Sequence, residues 1–162
     1  MKPHVLFLMC ALLLLGGSIG CRSPRAATDD HPVQRYLPAQ VRDLYFGLPL
    51  AEFLQQTRTL SRAEPDNSFR TVLVEELSRG PVQTAVYYFD RDGDEPLYEL
   101  ILLYPDTATR NAETRALFGP PNHEGSEWRY DSGEGYPLWA WTFQQKLVIA
   151  AVLPGTEWAD EK

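Results

Sequence analysis

From residue 33 onward, apolar side chains recur in short bursts, and the spacing inside each burst changes from helical to strand-like and back. Leu44, Phe46, Leu50, Phe53, Leu54 and Leu60 form the first burst. Pro49 suits the first turn of a helix and residues 51–56 can continue it, so the spacing predicts a helix over 49–60. Pro65, Asp66 and Asn67 then mark a turn. Strand-like bursts follow at 69–77, 82–89 and 97–104, rich in Val, Thr, Tyr, Ile and Leu. Ser78-Arg79-Gly80-Pro81 and Asp90-Arg91-Asp92-Gly93-Asp94 separate them. Both separators are short and turn-forming, which predicts an antiparallel meander.

The pattern then repeats. Asp106 or Thr107 can cap a helix over 108–118, which Gly119 ends by its access to positive φ and Pro120-Pro121 prevents from continuing. Further strands are predicted at 127–130, 138–143 and 146–153, with a glycine-rich loop over 131–135. The expected fold class is therefore α+β, with two tandem helix-plus-three-strand units around a mostly antiparallel sheet. The expectation is a single domain over residues 33–162, with the repeat suggesting an internal duplication of 44–104 and 105–155.

The chain begins differently. Lys2 and His4 precede an apolar run over 5–15 and then Gly16, Gly17 and Ser18. This is the layout of a secretory signal peptide over 1–20. A run of about ten residues, rising about 1.5 Å per residue, covers only about half of a bilayer's hydrocarbon core, so export and cleavage fit better than a membrane span. Ser18-Ile19-Gly20-Cys21 resembles the lipobox of bacterial lipoproteins, in which a small residue precedes a cysteine that receives a diacylglyceryl group. Ser18 departs from the leucine most common at its position in that family. The resemblance implies cleavage before Cys21, lipid attachment at Cys21 and a membrane partner reached through that lipid. Arg22 stands where an aspartate commonly retains such proteins in the inner membrane, which implies the outer membrane, facing the periplasm.

Cys10 falls in the segment to be removed, so the mature protein keeps Cys21 and forms no internal disulfide. Residues 22–31 include Pro24, Ala26, Ala27, Thr28, Asp29 and Asp30 and no large apolar side chain. Residues 21–32 therefore read as the lipidated start and a flexible tether.

Charge and candidate chemistry narrow the function classes. A net charge of −7 disfavours nucleic acid and gives no attraction to anionic headgroups, so no nucleic-acid partner is expected. His4 lies in the signal, His31 in the tether and His123 in a Pro-Asn-rich turn, with no metal-spaced His or Cys pair and no Gly-x-Ser-x-Gly elbow. Glu75 and Glu76 are adjacent on a predicted strand and would face opposite ways, which does not suit a carboxylate pair for glycoside hydrolysis. Asp90, Asp92, Asp94 and Glu95 surround Gly93, but for a calcium loop the glycine comes two positions early and Ile101 stands where a bidentate Glu is needed. Asp-Gly at this place is what a hairpin requires. Neither an enzyme nor a cofactor is expected.

Ala116-Leu117-Phe118-Gly119-Pro120-Pro121, Glu127-Trp128-Arg129-Tyr130, Trp141-Thr142-Phe143 and Lys146-Leu147-Val148 together resemble the helix, Gly-x-Pro turn, Trp-x-Tyr strand and closing hairpin of the SmpA/OmlA (BamE-like) outer-membrane lipoproteins. The layout is also similar to that of β-lactamase-inhibitor-protein domains. The detailed likeness covers about forty residues; the first half matches only loosely, through residues 46–53. These resemblances imply a non-catalytic lipoprotein that engages envelope proteins, in the manner of an outer-membrane assembly accessory, or an enzyme inhibitor. Trp139, Trp141 and Phe143 alternate along one predicted strand and would share a sheet face. The simplest expectation is that they fill the core of a domain without disulfides. If no helix covers them, they and Tyr136 form a surface for protein or, alternatively, for peptidoglycan or other carbohydrate.

Overall fold

The computed structural model describes residues 31–62 and 69–160 of the chain. Among them, no helix is long and apolar enough to cross a membrane. The signal segment 1–20, Cys21 and the turn residues Pro65, Asp66 and Asn67 lie outside the described residues.

Seven strands form one antiparallel sheet: β1 (Leu60–Arg62), β2 (Arg70–Glu76), β3 (Thr84–Asp90), β4 (Leu97–Leu103), β5 (Glu127–Asp131), β6 (Pro137–Phe143) and β7 (Lys146–Ala151). Their spatial order is β1-β2-β3-β4-β7-β6-β5. Two meanders, β2-β3-β4 and β5-β6-β7, thus join through their last strands, with Leu100 opposite Ile149 at the seam. The crossing from β4 to β5 is made by a helix, α2 (Thr107–Phe118). Asp106 caps it by accepting the Thr109 backbone N–H at 2.7 Å, and Gly119, at φ 71°, ends it with its N–H on Arg115.

The expected pair of helix-plus-three-strand units is not what forms. The fold is dominated by the sheet, and α2 is the only α-helix of more than about one turn among the described residues. The helix expected over 49–60 is a single turn, α1 (Leu50–Phe53). Phe53 is buried between Tyr87 and Phe89, with ring centroids 4.8 and 5.0 Å away. A continuing helix would need apolar side chains three and four positions later to stay on that face. Those positions are Gln56 and Thr57. Arg58 instead turns toward Glu75 and Asp43, and Leu60 enters β1 opposite Glu75.

What closes the sheet on this side is mostly irregular chain. Short 3-10 turns at Pro32–Tyr36 and Ala39–Val41 and the irregular stretch after them bury Val33, Leu37, Val41, Leu44, Phe46 and Leu48. His31, read from the sequence as tether, stacks on Tyr45 at 3.9 Å and lies 3.3 Å from Glu134. Gly47, at φ 91°, lets the chain dock on β4, donating its N–H to Leu97 at 2.8 Å while Leu97 donates to Leu48 at 2.9 Å. Against this stretch and α2 pack Ala85, Tyr87 and Phe89 of β3, Leu100 and Leu102 of β4, Leu147 and Ile149 of β7, and Leu138 and Ala140 of β6. Tyr36, Phe118 and Tyr130 stack at 5.0 to 6.1 Å, tying the first 3-10 turn to α2 and β5.

The outer edge of β5 is closed by a side chain. Asn122 accepts the Arg129 backbone N–H at 2.8 Å and donates to its carbonyl at 2.9 Å, in the place a further strand would take.

Candidate interaction face

The register places the alternate residues of every strand on the opposite face. Here β2 contributes Val72 and Val74, β3 Val86 and Tyr88, β4 Ile101, β7 Val148, and β6 Trp139, Trp141 and Phe143. Neither α2 nor the 31–49 stretch covers this face. Trp139, Trp141 and Phe143 are therefore not in the core, contrary to the simplest expectation. Both tryptophans are half-buried and Phe143 is 59% exposed. Alternation along β6 fixes that the three share a face; which face gets covered is decided by α2 and the 31–49 stretch, which cross on the other side.

Tyr136 does not join them. It precedes β6 and packs against the helix-side core, its hydroxyl 2.9 Å from Glu134 and 3.4 Å from the Phe46 carbonyl. Burial, with the Glu134 carboxylate beside it, pushes the Tyr136 hydroxyl pKa upward.

The partial cover on the aromatic face is a 3-10 turn, Glu157–Asp160, which folds back from the end of β7. Trp158 meets Trp141 and Trp139 edge-on, with centroids at 5.3 and 6.3 Å. On its other side Trp139 is capped by the Arg129 guanidinium, 3.9 Å from the ring centre. The Trp158 indole N–H donates to Glu99 Oε2 at 2.8 Å. Tyr98 donates its hydroxyl to Glu157 Oε1 at 3.1 Å, and Arg70, lying over the Tyr88 ring at 4.6 Å, reaches the same oxygen at 3.4 Å.

Glu99 is the chemically unusual member. It lies on the central strand and is only 5% exposed. Burial pushes its carboxyl up to about 7; the Trp158 hydrogen bond opposes the shift, nearby Glu157 adds to it and Arg70 opposes it. A β-bulge puts it there. Tyr88 pairs with Glu99 and Phe89 with Leu97, so Tyr98 is the extra residue, and adjacent Tyr98 and Glu99 both reach the 157–160 turn. Beside the turn lies an open groove of about 410 Å³, lined by Ile101, Phe143, Lys146 and Val148 as well as by Glu99 and Arg70.

Sequence reading did not single out Glu99, Arg70 or Trp158. The available signal was Glu99 itself, the one charge in the otherwise apolar run from Leu97 to Leu103. Trp158 lies beyond the last predicted strand, where no periodicity assigns it a role.

Glu75, Glu76 and Asp90 make local contacts. Glu75 and Glu76 do face opposite ways: Glu75 accepts from Arg58 at 2.9 Å and from the Tyr87 hydroxyl at 2.5 Å on the closed face, while Glu76 accepts from Thr84. Asp90 accepts the Asp92 backbone N–H at 2.8 Å and shapes the β3–β4 turn around Gly93, whose φ is 61°. Among the described residues, no three His, Cys, Asp or Glu side chains gather as a metal site. Compared with protein-family models, curated proteins and solved structures, the chain finds no match, so the reading of this face rests on its own chemistry.

Proposed function

We infer that the protein is a lipid-anchored lipoprotein of the cell envelope, held through Cys21 at the outer membrane on its periplasmic side, and that the open sheet face binds another envelope protein. The anchor is supported by Ser18-Ile19-Gly20-Cys21 after an apolar run too short to span a bilayer. A lipoprotein modification carries more than one acyl chain, the condition for stable membrane attachment. The binding role is carried by one observation: half-buried Trp139 and Trp141 and exposed Phe143 line a sheet face whose centre holds a buried carboxyl. Aromatic side chains on an uncovered face, with perturbed ionisable groups among them, are a recurrent mark of recognition sites. An outer-membrane assembly accessory is the role that fits both anchor and face.

A photo-reactive phenylalanine in place of Phe143 tests this reading in intact envelopes. It is expected to cross-link to a discrete envelope protein, and the adduct should vanish when Trp141 is changed to Ala. A Cys21→Ala chain should lose acyl mass at its amino terminus and leave the membrane fraction. Failure to cross-link, or an unlipidated native amino terminus, would remove the basis for the reading. Tryptophan rings beside carboxylates also suit sugars, which keeps peptidoglycan as the second reading; retention of the purified protein on sacculi, abolished by Trp141→Ala, would favour it.

A further inference from the structure

The turn that lies on the open face makes specific contacts with it. Its attachment to the sheet is made by side chains: Thr156 and Ala159 donate their backbone N–H groups to Leu153 and Thr156, within the turn itself. Gly155, at φ 85°, starts the reversal that brings Glu157 and Trp158 onto β4. Two consecutive residues of the turn then meet two consecutive residues of the bulge. Glu157 takes the Tyr98 hydroxyl and Arg70, and the Trp158 N–H goes to Glu99. The tryptophan ring completes the contact by lying edge-on to Trp139 and Trp141.

This is a two-point site for an acidic residue followed by an indole. It is a built site on three counts: the bulge needed to aim Tyr98 and Glu99 together, a carboxyl held almost entirely out of water on a central strand, and a guanidinium stacked on Tyr88 so that it faces the acid. The cover is one short turn, held by the Arg70–Glu157 pair, the Tyr98 hydroxyl and the Trp158 N–H. The turn also leaves the groove of about 410 Å³ beside it open, with Lys146 as a second cation for a longer acidic segment.

We propose that Glu157 and Trp158 form a replaceable strap over a peptide-binding site, and that the partner of this face presents an acidic residue followed by a tryptophan, which displaces the strap. The proposal rests on the reading of the open face as a protein-binding surface and adds the chemistry of the partner and a built-in competitor for it.

A fluorescein-labelled peptide, Gly-Thr-Glu-Trp-Ala-Asp, titrated against the full mature chain and read by fluorescence polarisation, tests it. Trp158→Ala protein is expected to bind this peptide at least tenfold more tightly than the unaltered protein does. Trp158→Phe, which keeps a ring but loses the N–H donor, should fall between them and stands in if the alanine variant fails to fold by circular dichroism. Alanine for Trp in the peptide, or Glu99→Leu with Arg70→Met on the strap-weakened protein, should reduce binding at least tenfold. Equal affinity for strapped and strap-weakened protein, or binding that survives the face substitutions, overturns the proposal. The Phe143 cross-link separates the two ideas: an adduct whose yield Trp158→Ala leaves unchanged sinks the strap but not the interaction face. Tight, face-dependent peptide binding without any envelope adduct upholds the site and removes the assembly role.

Discussion

Tyr87 and Tyr88 are neighbours on β3 and belong to different environments. Tyr87 points to the closed face, fully buried with Phe53 and Phe89, its hydroxyl on Glu75; Tyr88 points to the open face, half-buried beneath the Arg70 guanidinium. The same division runs across the sheet. On the closed face, large side chains are matched by equally apolar cover, and buried Arg58 is paired with Glu75. On the open face the aromatics keep water on one side, and the deep carboxyl of Glu99 accepts an indole N–H from a turn held by side chains. A sheet that needed only stability would place an aliphatic side chain at residue 99; a buried acid there costs stability and supplies a specific acceptor.

The largest expected effect lies on the closed face. Phe53→Ala should destabilise the fold by about 3–5 kcal/mol in urea denaturation, the range for removing a fully buried phenylalanine. A loss under about 1 kcal/mol would mean that α1 is not part of the cooperative unit.

Next comes Glu99→Gln, which should act on the open face and only at one end of the pH range. The Glu99 carboxyl sits at about 7 in the folded chain against 4.5 ordinarily. Between those values the folded state binds more protons than the unfolded one, so this group lowers stability progressively as pH rises from 4.5 to 7 and leaves it unpenalised below. The amide removes that penalty and retains an oxygen for the Trp158 N–H. The variant should be more stable than the parent by about 1–3 kcal/mol at pH 8, with the gain vanishing near pH 4. Equal stability of the two proteins across that range would place Glu99 in water.

The smallest effect on stability should come from Phe143→Ser. Phe143 is 59% exposed, and its replacement should change the unfolding free energy by no more than about 0.5 kcal/mol. If the open face is a binding surface, this nearly silent change should still reduce severalfold the cross-linking of a photo-reactive phenylalanine placed at Ile101 on the same face.

The contrast between the faces also explains what could be read in the residues alone. Alternation in β3 and β6, the turn formers between strands, and the Asp106 and Gly119 caps of α2 are local, and residues 69–153 fold close to expectation because of them. Closure of the sheet is not local. Residues 31–49 carry Val33, Leu37, Val41, Leu44 and Leu48 at a helix-like spacing that extended Pro38 and Gly47, at positive φ, interrupt, and their burial depends on where the chain crosses the sheet. The helix expected over 49–60 failed for a reason visible afterwards: Gln56 and Thr57 break the apolar stripe just as Arg58 finds buried Glu75 and exposed Asp43. For the open face, alternation correctly grouped Trp139, Trp141 and Phe143, but it carries no information on cover. Trp158 reaches them from about twenty residues away through a reversal at Gly155.

Asn122 bears on how many copies of the molecule can live side by side. An unguarded outer strand offers its backbone to any similar strand that drifts past. By filling the hydrogen-bonding positions of Arg129 with one amide side chain, the protein hinders the addition of another strand at the β5 edge.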